Sequence, residues 1–145
     1  LCCEQRNKQL RIMTQKFKIL FISLTTILLV SCDPIHDIGF VNKTSEDVKV
    51  RIHLDSKIEN QDLESVANGD SIVLIIKEKM GANISFGIGS WSTNEIEKAV
   101  NSIKNIEIET SDLKTTYKSK NSIRKLLESN INGIVLKTEI EIEIK

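Results

Sequence analysis

The chain has 145 residues, with 20 basic and 20 acidic side chains and 4% aromatics, a length suited to one domain. The first 31 residues hold five Lys/Arg and one acid, so residues 32–145 carry 15 basic against 19 acidic side chains, a net charge of −4. That mild acidity, with no basic cluster interleaved with aromatics, argues against a nucleic-acid partner, and three cysteines, two of them adjacent at Cys2 and Cys3, make neither a disulfide framework nor a zinc motif.

Residues 1–12 are largely polar and precede Met13, where a normal export signal starts, so they read as an over-extended N-terminus. Residues 13–31 have the organisation of a signal peptide. Lys16 and Lys18 form a positive n-region, and Ile19 to Val30 form an apolar stretch interrupted by Ser23, Thr25 and Thr26. A spanning helix is the rival reading. Phe17 to Val30 would reach only about 21 Å as a helix, short of the roughly 30 Å of a hydrocarbon core. Leu29-Val30-Ser31-Cys32 fits a lipobox better than the Ala-x-Ala-like site of a plain secretory signal. The expectation is diacylglycerol on the Cys32 thiol and cleavage before it. That covalent lipid is the only cofactor-like group expected. Residues 32–37 then form a lipidated tether, and 38–145 a single β-rich domain that relies on packing alone, since Cys32 is the only cysteine of the expected mature chain and its sulfur carries lipid.

After the tether, Ile38, Phe40 and Val41 open a strand that ends at the polar Asn42-Lys43-Thr44-Ser45 cluster. Val48, Val50, Ile52 and Leu54 alternate with Lys49, Arg51, His53 and Asp55, a strand with one buried face. Ser56 to Asn68 reads as a polar loop and Asn68-Gly69-Asp70 as a tight turn. The continuous apolar run Ile72 to Ile76 predicts a central strand covered on both faces. Ile84, Phe86 and Ile88 alternate, with Gly87 and Gly89 weakening the strand or marking a bulge. Ser92 and Glu95 stand at capping-box spacing. Behind them Ile96, Ala99, Val100 and Ile103 form one helical stripe. Ile106 and Ile108 alternate with Glu107 and Glu109; Leu113, Thr115 and Tyr117 predict another strand. Ser122 to Glu128 predicts a short helix with Ile123, Leu126 and Leu127 inward, and Asn132-Gly133 a turn. Ile134 to Lys145 predicts a terminal strand with Glu139, Glu141 and Glu143 on its polar face. About seven strands with one or two short helices point to a mainly β fold, a β-sandwich of immunoglobulin-like size. An α+β fold is the alternative.

Few residues bear chemistry. Arg51, His53 and Asp55 form a polar row that reads as a solvated strand face, with a binding patch as the functional alternative. Trp91 is the only tryptophan; packing is its bland role and stacking on a sugar ring its functional one. His36 falls in the tether and is expected to be mobile. Two histidines make a poor zinc set, so no metal is assigned. Gly87-Ile88-Gly89-Ser90-Trp91 is neither a nucleophile elbow nor a phosphate loop, and no catalytic residue is assigned. The three glutamates lie about 7 Å apart along a strand, too far for one ion unaided, and read as a charged face that blocks edge pairing.

From Lys16 to Cys32, through Phe40-Val41-Asn42-Lys43-Thr44 and the later order of strands, helix and terminal strand, the chain resembles the small uncharacterised lipoproteins of Bacteroidota-type bacteria. The resemblance implies a domain hung from the envelope. In such bacteria acidic residues soon after the cysteine, here Asp33 and Asp37, favour display on the outer surface. In enteric-type bacteria an Asp directly after the cysteine resembles an inner-membrane retention signal. The leading expectation is a non-enzymatic outer-membrane lipoprotein that binds a protein or glycan partner or supports an envelope complex. The alternatives are an envelope hydrolase using carboxylates or His53, and an accessory of a surface uptake or secretion system.

Overall fold

Period-two alternation places most of the chain. The computed structural model describes residues 35–56, 58, 60–133 and 137–145. Its elements are β1 (Ile35–Asn42), β2 (Val48–Leu54), α1 (Gln61–Val66), β3 (Ser71–Ile76), β4 (Gly81–Ile88), α2 (Thr93–Ser102), β5 (Ile103–Glu109), β6 (Lys114–Tyr117), α3 (Lys120–Ser129), β7 (Ile131–Asn132) and β8 (Glu139–Ile144). One sheet has the order β4-β1-β8-β7 and the other β3-β2-β5-β6. Neighbouring strands are antiparallel except β1 and β8, which run parallel from Asp37 beside Glu139 to Asn42 beside Ile144. The fold is mainly β, two packed four-stranded sheets forming a β-sandwich with few helices.

The inner faces follow from sequence. Val48, Val50, Ile52 and Leu54 of β2, Ile106 and Ile108 of β5, and Ile140, Ile142 and Ile144 of β8 are buried in one cluster with Ile38 and Phe40 of β1. Each fully buried Ile or Phe contributes about 1.5–3 kcal/mol of transfer free energy. Pro34–Lys145 forms one compact unit.

Asn42 is fully buried at the end of β1. Its amide donates to Glu46 O (2.7 Å), Ile76 O (3.1 Å) and Lys77 O (3.2 Å). Its Oδ1 accepts from Thr44 N (2.9 Å) and Thr44 Oγ1 (2.7 Å). One side chain therefore fixes the β1–β2 turn and ties the end of β3, in the other sheet, to β1.

α2 starts where its sequence predicts, with Ser92 Oγ accepting from Glu95 N. Its apolar stripe packs inward through Ile96, Ala99 and Val100. α3 begins at Lys120, two residues before the expected Ser122, because Ser119 caps it. Ile123 and Leu127 are buried and Leu126 packs at the core margin. Lys120, in the first turn of α3, reaches the end of α2, donating to Val100 O (3.1 Å), Asn101 O (2.8 Å) and Ile103 O (2.8 Å). A cation at those carbonyls completes a helix C-terminus.

Several expectations are corrected. The domain starts within the expected tether: Ile35–Asp37 belong to β1, where pairing with β4 and β8 orders them. His36, expected to be mobile, is 5% exposed. The expected loop 56–68 contains α1, capped by Asn60, whose Oδ1 accepts from Asp62 N and Leu63 N; burial of Leu63 docks it. β3 is an edge strand, not a central one, and Val73 and Ile75 are exposed on its outer side. Ile88 does not share the buried phase of Ile84 and Phe86: Gly87 between them has φ 104, a conformation that favours glycine, and Ile88 turns out to 70% exposure. Leu113 precedes β6 and is exposed. β8 lies between β1 and β7, but β7 pairs only with Glu139 and Ile140, so among the described residues the Glu143 end of β8 has no strand on that side. Residues 1–34, with the signal, Cys32 and the start of the tether, and residues 134–136 of the expected terminal strand lie outside the described residues.

Candidate functional site

The outward face of β2 keeps two of the three predicted row residues together. Arg51 lies between Val73 of β3 and Glu107 of β5, and His53 between Ser71 and Asn105. Both are half-buried. Glu107 is held below the usual carboxylate range, first by a hydrogen bond from Lys114 (3.0 Å) and then by the charges of His53 and Arg51. Asp55 is not part of this row. The ladder shifts between His53 and Leu54, Asp55 N bonds Ser102 O, and its carboxylate turns to Lys120 at 3.1 Å. The Lys120 hydrogen bond holds Asp55 low. This is an ion-paired, solvated strand face.

Trp91 is 4% exposed, so its indole is not a platform for a sugar. Its Nε1 donates to Asp37 O (3.1 Å) and its backbone N–H to Lys137 O. Phe86 lies against it with centroids 5.0 Å apart, and His36 meets it edge-on at 4.9 Å. Neither ring nitrogen of His36 has a hydrogen-bond partner among the described residues. His36 is thus an aromatic packing residue whose two nitrogens have no partner among the described residues, a position sequence reasoning missed by assigning it to a tether.

The acidic row of β8 gathers a neighbour from β1. Asp37 stands beside Glu139 across the parallel ladder and accepts from Asn83 Nδ2 at 2.8 Å. Gly39 leaves room there; a Cβ on it would lie 3.0 Å from Asn83 Oδ1 and 3.8 Å from Glu139 Oε1. Glu139 is pushed above the usual carboxylate range by burial, then by the charges of Asp37 and Glu141. Glu143, at the far end, is held low by Lys145 and Lys43. Among the described residues no three His, Cys, Asp or Glu side chains are grouped to hold a metal.

The feature that sequence reasoning missed is the open side of the sandwich. β3 and β4 are both edge strands. Between them lies an open cleft of about 560 Å³ lined by Val66, Ile72, Leu74, Asn83, Ile84 and Ser85 among others. Neither Ser71–Ile76 nor Gly81–Ile88 contains a charged residue, the usual safeguard of an edge. The signal in sequence is the uncharged run itself, but its edge position becomes visible only when the strand order is known. A smaller hollow of about 340 Å³ lies beside Thr115, Tyr117, Leu126 and Asn130.

No family model, no curated protein and no solved structure matches the chain. Among the described residues no helix is long and apolar enough to cross a membrane.

Proposed function

We propose that the chain is a bacterial cell-envelope lipoprotein, held at the outer membrane by lipid on Cys32, whose sandwich is a non-enzymatic binding module for a protein partner. The observation that carries the anchor is the run Lys16 to Cys32, a charged start, an apolar stretch and a lipobox in the required order. On this reading only Asp33 and Pro34 separate Cys32 from the first strand, which begins at Ile35. A single acyl chain binds a bilayer only marginally, so stable attachment needs the two or three chains of a mature lipoprotein. A protein partner is favoured over a glycan because Trp91 is buried while an uncharged sheet edge is open.

The test is Cys32→Ala in cells producing the full chain, followed by membrane fractionation and incorporation of radiolabelled palmitate. Loss of label with release of the protein or stalled processing is expected. A variant that is still cleaved and still membrane-bound overturns the anchor. Protease shaving of intact cells then separates outward display from a periplasmic position.

A further inference from the structure

The free part of the β3 edge is short and its limits are defined. Leu54 N donates to Asp70 O. With Ile52 opposite Ile72 and Val50 opposite Leu74, antiparallel alternation then makes residues 72, 74 and 76 the ones bonded to β2. Residues 71, 73 and 75 direct their N–H and C=O to the open side. Ser71 O is already taken by Asn68 N (2.9 Å), and beyond Ile75 the Lys77 carbonyl is taken by Met80 N (3.0 Å) and the Asn42 amide. Among the described residues, the complete N–H and C=O pairs left without a strand partner in β3 are those of Val73 and Ile75. Their side chains are 46% and 57% exposed.

We infer that this edge pairs with the same edge of a second copy, antiparallel about a two-fold axis through Leu74, with Val73 of each copy opposite Ile75 of the other. This deepens the binding-module reading by naming the partner and is independent of the lipid. The register follows from the free groups. Two residues per copy form two reciprocal pairs and use all four free N–H and all four free C=O groups in four hydrogen bonds. A two-residue window suits a longer extended peptide poorly, because its flanking groups would meet carbonyls already occupied. Side chains agree with the register: the outer face pairs β-branched aliphatics across the junction. On the inner face the half-buried Leu74 meets its own copy beside the cleft, in the close, non-hydrogen-bonded type of pair. Charge agrees too. Arg51 lies beside Val73 and Lys49 beside Ile75, so Arg51 of one copy and Lys49 of the other are three strand spacings apart, about 14 Å. That exceeds the roughly 8 Å screening length at physiological salt.

The test uses the purified full chain in detergent, with Cys2, Cys3 and Cys32 replaced by Ser so that lipid plays no part. Val73→Cys and Ile75→Cys are made separately in this background and oxidised alone and mixed. Directly opposed residues fall in disulfide range, whereas like residues sit diagonally across the axis. The mixture is therefore expected to cross-link roughly tenfold faster than either variant alone. Adding Val73→Lys to the Ile75→Cys chain should remove that advantage. The exposed Ser111→Cys gives the collision rate. Cross-linking no faster than this control overturns the dimer, and equal rates for the mixture and the single variants overturn the register. Because every variant lacks Cys32, failure here leaves the anchor standing, and failure of the Cys32→Ala test leaves this pairing standing.

Discussion

Asn42 is the position where one substitution should be most informative about what holds the two sheets together. Asn42→Ala removes two N–H donors shared among three carbonyls and an oxygen that accepts two hydrogen bonds. Counted as about four bonds at about 0.5–1.5 kcal/mol each, the upper limit is about 6 kcal/mol. Some partners keep another donor: Lys77 O retains Met80 N and Glu46 O retains Thr44 Oγ1. The expected loss is therefore about 3 kcal/mol, or some 12–24 °C in Tm for a domain of this size. Asn42→Asp separates the donors from the acceptors. It can still accept from Thr44, but a carboxylate faces three carbonyls, which raises its pKa in the fold. Stability is then retained below the unfolded carboxylate value near 3.9 and lost as pH rises through the higher folded value, so Asn42→Asp should cost more at pH 7 than at pH 4. Urea unfolding followed by the fluorescence of Trp91, the only tryptophan and 4% exposed, measures both. A cost for Asn42→Ala below about 1 kcal/mol, or an Asn42→Asp cost independent of pH relative to wild type, would refute the assignment of this side chain as the tie between sheets.

Other substitutions test separate parts of the packing. His36→Phe keeps the aromatic contact with Trp91 and removes two buried nitrogens that have no partner among the described residues, so it should stabilise by about 1 kcal/mol; destabilisation in the same urea titration would mean that the imidazole has a role beyond packing. Lys120→Met should cost about 1–2 kcal/mol by removing the ammonium from the carbonyls at the end of α2, although Val100 O keeps the Ile103 N–H, and hydrogen exchange should show the loosening centred on residues 99–103. Glu139 is raised in the fold, so its contribution is fully present below the unfolded carboxylate value and lost as pH rises through the folded one. Glu139→Gln should accordingly stabilise at pH 7 and less at pH 4, and an equal gain at both would show that neither burial nor the charges of Asp37 and Glu141 raise this carboxyl. Asp55, Glu97, Glu107 and Glu143 are lowered by their basic partners, so their support is present above the unfolded carboxylate value and lost as pH falls through the folded ones; acid unfolding in high salt should show a shallower dependence.

The strands with one buried face were legible because alternation carries their geometry. Val48 to Leu54 and Ile140 to Ile144 sit in the predicted phase, and Ile96, Ala99 and Val100 pack as their helical spacing predicts. What escaped depends on neighbours. Ile72 to Ile76 looks like a central strand because Val73 and Ile75 are apolar, and nothing local says that no strand lies beyond them. His36 looked mobile because what orders it, the β4 ladder through Ile35 and Asp37 and the Trp91 ring, is distant in sequence. α1 was hidden because one buried residue, Leu63, suffices to dock a six-residue helix. Of the polar row, Arg51 and His53 were legible from alternation, but the shift after His53 that sends Asp55 to Lys120 was not.

The parallel ladder between β1 and β8 also sets how the domain meets mechanical load. Tension applied ahead of Ile35 and beyond Ile144 pulls these two neighbours in opposite directions along their own axes. The ladder from Asp37 and Glu139 to Asn42 and Ile144 is then loaded in shear, with its rungs sharing the force, whereas an antiparallel terminal pair would peel one rung at a time. A domain tethered at its first strand and grasped at its last would hold its shape until the whole ladder yielded together.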